Sequence, residues 1–332
     1  MRTIVGVVRG GPSSEYEISL ASGAAVLEAL DRERYEPRDI FIDRSGQWHS
    51  RGIAAAPEKA LRGIDVVFNT LHGDYGEDGR LHRILTAHGV PYTGSDAYAS
   101  LLAFNKQRAR EEAARRGIKI PYGKLLERDA YGDIDEAARS LFRTFPMPAI
   151  IKPIFGGSSV GMTYAPTLES LAAGLRRAFE LAPAALVEEF IRGREASVGI
   201  VEDFRGQEVY ALMPIEIIPP KEAPFFDYAV KYNGASREIC PGNFTDEEKT
   251  ALMDAARTMH EGLGLSHYSR SDFVVSKRGT YFLETNNAAG VGLTPGSLLP
   301  KALKAAGSSL PEFVDHIISL VREGRRTAPA QG

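Results

Sequence analysis

Arg270-Ser271-Asp272-Phe273-Val274-Val275-Ser276-Lys277-Arg278-Gly279-Thr280-Tyr281-Phe282-Leu283-Glu284-Thr285-Asn286 reads as two β-rich runs joined by Lys277-Arg278-Gly279. This is a three-residue hairpin connection with glycine at the left-handed position. Such a loop pairs Ser276 with Thr280, Val274 with Phe282, Asp272 with Glu284 and Arg270 with Asn286. These positions are an even number of residues apart, so their side chains share one face of the ribbon. Phe273, Val275, Tyr281 and Leu283 fall on the other face, which is expected to be core. Two carboxylates directly opposite each other destabilise a strand pair unless something positive lies between them. An asparagine carbonyl beside them completes an oxygen-rich cluster suited to magnesium, with phosphate oxygens supplying the remaining ligands. The plainer alternative is two solvated acids, each near a lysine or arginine. Arginine and asparagine in the adjoining pair favour the metal, and a one-residue slip of register would undo the arrangement.

The whole chain has 332 residues, 43% hydrophobic and 25% charged, with 33 glycines. That composition is globular and long enough for two or three domains with cores of their own. A net charge of −3 provides no basic field to draw nucleic acid or a membrane surface. The single cysteine, Cys240, excludes an internal disulfide and a cysteine-based zinc site, and its expected role is packing. Met1 leads straight into an apolar strand without a signal-peptide pattern, and no apolar run is long enough to span a bilayer. A cytoplasmic location is therefore expected. Residues 323–332 read as a polar tail.

Residues 3–8 form a β-branched run, followed by Arg9-Gly10-Gly11-Pro12-Ser13-Ser14 and a helical pattern to residue 30. Strand, glycine turn and helix open a doubly wound α/β domain, whose ligands gather at strand carboxyl ends. The G-x-G-x-x-G fingerprint is absent, which argues against a dinucleotide enzyme. Ser14 with Glu17 fits a capping box, and Glu15 in the first turn is accounted for locally by the helix dipole. Residues 64–69 are a buried strand running into Thr70-Leu71-His72-Gly73-Asp74-Tyr75-Gly76-Glu77-Asp78-Gly79, where His72 is a ligand contact or a loop histidine bonded to backbone. A short strand over residues 90–93 is expected to close the first domain, and residues 96–116 to form a helix interrupted near Phe104-Asn105-Lys106.

Pro148-Ala149-Ile150-Ile151-Lys152-Pro153 is a strand ending in lysine, and Gly156-Gly157-Ser158-Ser159-Val160-Gly161 follows. A lysine leaving a strand into such a loop places a positive charge beside free backbone N–H groups, suited to phosphate oxygens. The order is wrong for a Walker A loop, so a hairpin flap is expected, closed by a strand over residues 160–164. Residues 185–190 form a strand ending in Glu188 and Glu189, and Glu195 opens the next. A strand over residues 210–218 leads to an irregular stretch, 219–244, rich in aromatics and expected to be a lid. Thr245 caps a helix running to about residue 263. Beyond Asn286, a glycine-rich loop feeds a helical pattern from Leu298, presenting N–H groups to an anion such as a carboxylate; a plain linker is the alternative.

In order, these pieces resemble the D-alanine–D-alanine ligases of the ATP-grasp superfamily from about residue 3 to residue 320. The resemblance is carried by Gly10-Gly11-Pro12-Ser13-Ser14-Glu15, His72-Gly73 with Gly76-Glu77-Asp78-Gly79, and Pro91-Tyr92-Thr93-Gly94-Ser95. It continues through Ile151-Lys152-Pro153, Gly157-Ser158-Ser159-Val160-Gly161, Asp227-Tyr228 with Lys231-Tyr232, Arg270-Ser271-Asp272 and Glu284-Thr285-Asn286. It implies an α/β chain: an N-terminal Rossmann-like domain (1–95), then central (96–187) and C-terminal (188–322) ATP-grasp domains, the last with a lid over 219–244. By position, ATP is held by Lys106, Lys152, Ser159, Glu188, Glu189, Ile191, Glu195, Phe225 and Lys231. Asp272, Glu284 and Asn286 hold two magnesium ions, which manganese can replace. Glu15 and His72 receive the first D-alanine, with Ser158 and Tyr232 linking Glu15 to the lid. Arg270 and the N–H of Gly290 stabilise the oxyanion, and Ser297 and Leu298 bind the second carboxylate.

The implied reaction joins two D-alanines for peptidoglycan precursors. One carboxylate attacks the γ-phosphate of ATP to give an acyl phosphate, which the second amine then attacks. Partners are small molecules, with neither nucleic acid nor membrane, and a homodimer is the family's common state. Tyr232 matches the dipeptide-forming members. One segment departs from the family pattern: Asn287 stands for threonine, Ala289 for proline, and two residues are inserted near Val291-Gly292. That change is expected to loosen the acceptor loop. The alternatives are a ligase with another acceptor and a nucleotide-binding relative without catalysis.

Overall fold

The structure is a computed structural model describing residues 2–130, 133–157, 160–220 and 236–324. The first sheet holds β1 (Thr3–Gly10), β2 (Tyr35–Ile42), β3 (Trp48–Ser50), β4 (Ile53–Ala54) and β5 (Val66–Asn69), in the order β4-β3-β2-β1-β5. β1 runs parallel to both β2 and β5, and its Val5, Val7 and Val8 are fully buried. Such strands need cover on both faces. Since β1 has a parallel neighbour on either side, the loops after β1 and β5 face each other across a crevice at their carboxyl ends.

α1 (Tyr16–Ala29) follows β1, α2 (Pro57–Ala60) precedes β5, and α3 (Arg80–Ala87) follows the second loop. The expected capping box does not form. α1 starts at Tyr16, Glu15 occupies the N-cap position without a side-chain cap, and Ser14 is exposed. Ser13 instead ties the turn down, donating to the carbonyl of His72 at 2.5 Å and accepting from the Glu15 N–H at 3.1 Å. The strand expected over residues 90–93 reduces to a single bridge, Val67 to Tyr92.

α4 (Ala97–Phe104) and α5 (Lys106–Arg115) break at Asn105, as the sequence predicts. Its extended backbone ends one helix, while its side chain caps the next by accepting from the Arg108 N–H. The second sheet is antiparallel, β6 (Gly123–Glu127), β9 (Ala184–Glu189), β7 (Ala149–Pro153) and β8 (Thr163–Ala165) lying in that order. α6 (Ile134–Thr144) and α7 (Leu168–Leu181) cover it. Its core, including Leu126, Leu141, Ile151, Leu171 and Val187, draws only on this part of the chain.

The third sheet contains β10 (Arg194–Phe204), β11 (Gln207–Ala211), β12 (Ile215–Ile218), β13 (Arg237–Ile239), β14 (Tyr268–Ser276) and β15 (Gly279–Asn286). Its order is β13-β12-β10-β14-β15, with β11 also on β10. The single strand expected over residues 210–218 is thus two. Pro214 lies in the interruption, where no N–H is available to a ladder. α8 (Asp246–Gly262) starts with the capping box of Thr245 and Glu248. α9 (Leu298–Ala305) and α10 (Leu310–Arg322) end the described chain. α10 packs Phe313, Val314, Ile317 and Ile318 into one core with Val5, Val7, Val66 and Phe68.

The β14–β15 ladder pairs Asp272 with Glu284 and Arg270 with Asn286, as the loop arithmetic predicts, but by another path. Nearer the turn, Ser276 pairs with Gly279 and Phe273 with Phe282, one residue tighter than expected. A bulge between Asp272 and Phe273 then leaves Leu283 unmatched and restores the register. The expected core face is corrected accordingly. Phe273, Val275 and Phe282 pack towards α8, whereas Val274, Tyr281 and Leu283 gather with Ile191. Gly279 has φ +115, a conformation that favours glycine.

Candidate active site

A cleft between the second and third sheets is lined by Lys106, Lys152, Glu188, Glu195, Asp272 and Glu284, with Ile150, Ile191, Val274 and Leu283 among its apolar walls. Apolar walls with a few convergent polar groups suit a flat ligand carrying a charged end. Lys152 leaves β7 with its Nζ 2.7 Å from Glu188 Oε2, both residues being buried. Arg110 from α5 lies 3.5 Å from the other Glu188 oxygen and donates to the Pro121 carbonyl at 2.6 Å. Pairing of this kind is what permits a carboxylate at 2% exposure. Glu189 accepts from the Tyr122 N–H at 3.1 Å and from Arg278 at 3.0 Å. Ile191 packs with Val274 and Tyr281, and Glu195 stands opposite Val274 and Ile217.

At the other end, the break after Phe104 delivers Lys106, whose Nζ donates to the Gly156 carbonyl at 2.6 Å and lies 3.2 Å from Glu284 Oε2. Arg270 forks onto Asp272, Nε to Oδ1 at 3.0 Å and Nη2 to Oδ2 at 2.8 Å. Ser197 donates to Asp272 Oδ1 at 2.6 Å, and Asn286 to Oδ2 at 3.3 Å. Each acid of the opposed pair therefore carries its own cation, which is how the ladder tolerates them. Among the described residues no group of three or more His, Cys, Asp or Glu is arranged to hold a metal ion. A cation here would have Asp272, Glu284, the amide oxygen of Asn286 and ligand oxygens to draw on. The residues fit magnesium in donor type, all being hard oxygens, with the two acids directly opposite each other, although a metal would have to compete with Arg270 and Lys106 for them.

A second cleft is lined by Glu15, His72, Glu77, Gly290, Ser297 and Lys301, and it shares Gly157, Arg270 and Leu298 with the first. Glu15 is 3% exposed and pressed between glycines: a Cβ on Gly157 would lie 2.5 Å from its Oε2, and one on Gly73 3.0 Å. Its carboxylate makes no cap hydrogen bond to α1 and lines this cleft. His72 Nε2 lies 3.1 Å from Ser22 Oγ. Ser297, at the N-cap of α9, makes no side-chain cap, and its Oγ lies 2.8 Å from Thr294 Oγ1.

The expected loosening of the loop after Asn286 is overturned. Asn287, 1% exposed, accepts from the N–H groups of Ala289 at 3.1 Å and Gly290 at 3.4 Å. It also donates to the carbonyls of Glu77 and Ser100, each at 3.3 Å. The side chain replacing threonine thus pins the loop, offsetting the lost proline. The Gly290 N–H donates to the Asn287 carbonyl at 3.0 Å, so the expected oxyanion donor is engaged within its own turn. Ser158, Ser159, Phe225, Lys231 and Tyr232 lie outside the described residues.

Sequence reasoning misses Arg110, Ser197, Glu77 and the Glu238–Lys301 ion pair as contributors. Arg110 and Ser197 carry no motif at all. Glu77 is visible within Gly76-Glu77-Asp78-Gly79, but nothing local reveals that it is 4% exposed. Burial, with the nearby charge of Glu15, pushes its carboxyl up to about 8, against the pull of the Gly73 N–H.

Three sheets, with a polar-ended cleft between the last two floored by paired carboxylates, define an ATP-grasp ligase. The sequence matches the family descriptions D-ala D-ala ligase N-terminus over residues 4–59 and 51–95, and D-ala D-ala ligase C-terminus over 114–319. The D-alanine–D-alanine ligase of Geobacter sulfurreducens is 39% identical over 320 residues, covering 95% of this chain and 93% of that protein. The VanG D-Ala:D-Ser ligase of Enterococcus faecalis superposes with a TM-score of 0.83 at 28% identity, covering 97% of this chain and 100% of that one. D-alanyl-alanine synthetase A of Vibrio cholerae gives 0.84 at 26% identity, covering 97% and 99%. The chain belongs to the D-alanine–D-alanine ligase family, whose members are ATP-dependent, use metal ions and act on small-molecule substrates. No helix among the described residues is long and apolar enough to cross a membrane.

Proposed function

We propose that this chain joins two D-alanines at the expense of ATP, through an acyl phosphate, with two magnesium ions bound at Asp272, Glu284 and Asn286. The observation that carries the reading is Arg270, whose side chain borders both clefts. A phosphoryl donor in one and an amino acid in the other meet beside that guanidinium.

In this reading Lys106 and Lys152 attract the phosphates, and Glu15 receives the ammonium of the first D-alanine, aiming its carboxylate at the γ-phosphate. Both reactants are anionic, so positive side chains offset the charge that builds between them. Magnesium, when bound, supplies further positive charge at the phosphate oxygens. Arg270 then faces the oxygen of the tetrahedral carbon formed when the second amine attacks. Losing such a donor costs roughly 3–4 kcal/mol. Closure of the cleft keeps water from the acyl phosphate.

Incubation of the protein with ATP, magnesium and D-alanine, with products identified by mass, tests the reading. D-alanyl-D-alanine and equimolar ADP are expected, and absence of the dipeptide overturns it. A second acceptor deserves a place in the same assay. Thr294, Ser297 and the Glu238–Lys301 pair give the second cleft polar partners for a hydroxyl, and the structurally similar VanG protein is a D-Ala:D-Ser ligase. Competition between D-alanine and D-serine measures that preference.

A further inference from the structure

Among the described residues, the second cleft contains one buried acid that the mechanism above leaves idle. Glu77 Oε1 accepts from the Gly73 N–H at 2.7 Å, and a Cβ on Gly290 would lie only 2.2 Å from Oε2. That oxygen thus abuts the Cα of Gly290, on the loop beside which the new bond forms. The amine that attacks the acyl phosphate arrives as an ammonium and must lose a proton first. Among the described residues, the titratable groups around the cleft are few. Glu15 is the seat of the first ammonium, Arg270 forks onto Asp272, Glu238 pairs with Lys301, and the His72 ring nitrogen lies against Ser22. Lys106 and Glu284 act on Glu77 from further off and pair with each other.

Resting on the ligase reading, we propose that Glu77 is the base that takes the proton from the incoming second amino acid. The Glu77 carboxylate removes one ammonium proton, leaving a neutral amine and a carboxyl group. The amine lone pair forms the C–N bond, and the bond from the acyl carbon to the phosphate oxygen breaks, its electrons leaving with phosphate. The second proton lost by nitrogen goes to the departing phosphate. A carboxyl held up near 8 is a stronger base than an exposed glutamate. It acts through its ionised fraction, which grows as pH rises towards 8, so dipeptide formation by the unaltered protein should climb over that range.

Hydroxylamine separates this role from a structural one, because it is largely unprotonated near neutrality and attacks acyl phosphates without a base. In Glu77→Gln, D-alanyl-D-alanine formation should fall by roughly 100-fold or more. D-alanyl hydroxamate formation from ATP, D-alanine and hydroxylamine should stay close to that of the unaltered protein. Dipeptide formation by the variant should recover as pH rises and the acceptor deprotonates unaided. Glu77→Asp, which keeps a carboxylate, should retain more dipeptide activity than the glutamine variant. Parallel loss of both products would show that Glu77 only braces the Gly73 and Gly290 loops, and unchanged dipeptide formation would equally overturn the proposal. If the unaltered protein makes neither product, the ligase reading fails instead.

Discussion

At the level of single residues, the site is a set of charges that neutralise one another before any ligand arrives. Asp272 is taken by Arg270 and Glu284 by Lys106. Removing either acid takes away the ionic partner of Arg270 or Lys106 and, in the proposed function, a metal donor, so Asp272→Asn or Glu284→Gln should lower ADP release by roughly 100-fold or more, with magnesium titration showing weaker saturation. Glu77 makes a different statement about pH. Unfolded, it ionises near the ordinary 4.5; folded, it keeps its proton up to about 8. The stability it confers is complete below the lower value and is lost as pH rises through the upper one. In ligand-free calorimetry, the melting temperature of Glu77→Gln relative to the unaltered protein should climb between about pH 5 and about pH 8; a constant difference would contradict the burial argument. None of this is visible in the local sequence, because a carboxylate's burial depends on the loops that close over it.

Among the elements, the β14–β15 ribbon shows what pattern reading captures and what it does not. Alternation and a glycine at the turn suffice to place Asp272 opposite Glu284. The tight closure at Gly279 and the unmatched Leu283 are two deviations that cancel at the acid pair and do not cancel at Phe282 and Tyr281. Those two side chains therefore exchange faces. Bulges arise from packing against both layers, and no residue type announces them. The loop after Asn286 gives the converse case, where losing proline suggests slackness until the contacts of Asn287 are seen. Asn287→Ala deletes two buried donor contacts and two turn caps, and should cost about 2–3 kcal/mol in denaturant unfolding. The KM for the second amino acid should rise as the loop loses its anchor.

For the molecule as a whole, the strand–turn–helix opening, the interrupted α4–α5 pair and the capped α8 are all legible, since each rests on contacts close in sequence. What no local pattern reveals is that α10 completes the core of the first sheet. Phe313→Ala should cost about 3–5 kcal/mol, and the first sheet and α10 should lose their amide protection together in hydrogen exchange. The sheet formed by β6 to β9, with a core of its own, should exchange on a separate schedule. The same covering helix sets a condition on biosynthesis. The first sheet leaves the ribosome early, with Val26 and Leu30, in and just after α1, joining its core at once, yet Phe313, Val314, Ile317 and Ile318 of α10, which complete its apolar flank, are translated more than two hundred residues later. At ordinary elongation speeds that flank waits on the order of tens of seconds, an interval in which a nascent-chain chaperone would find its target.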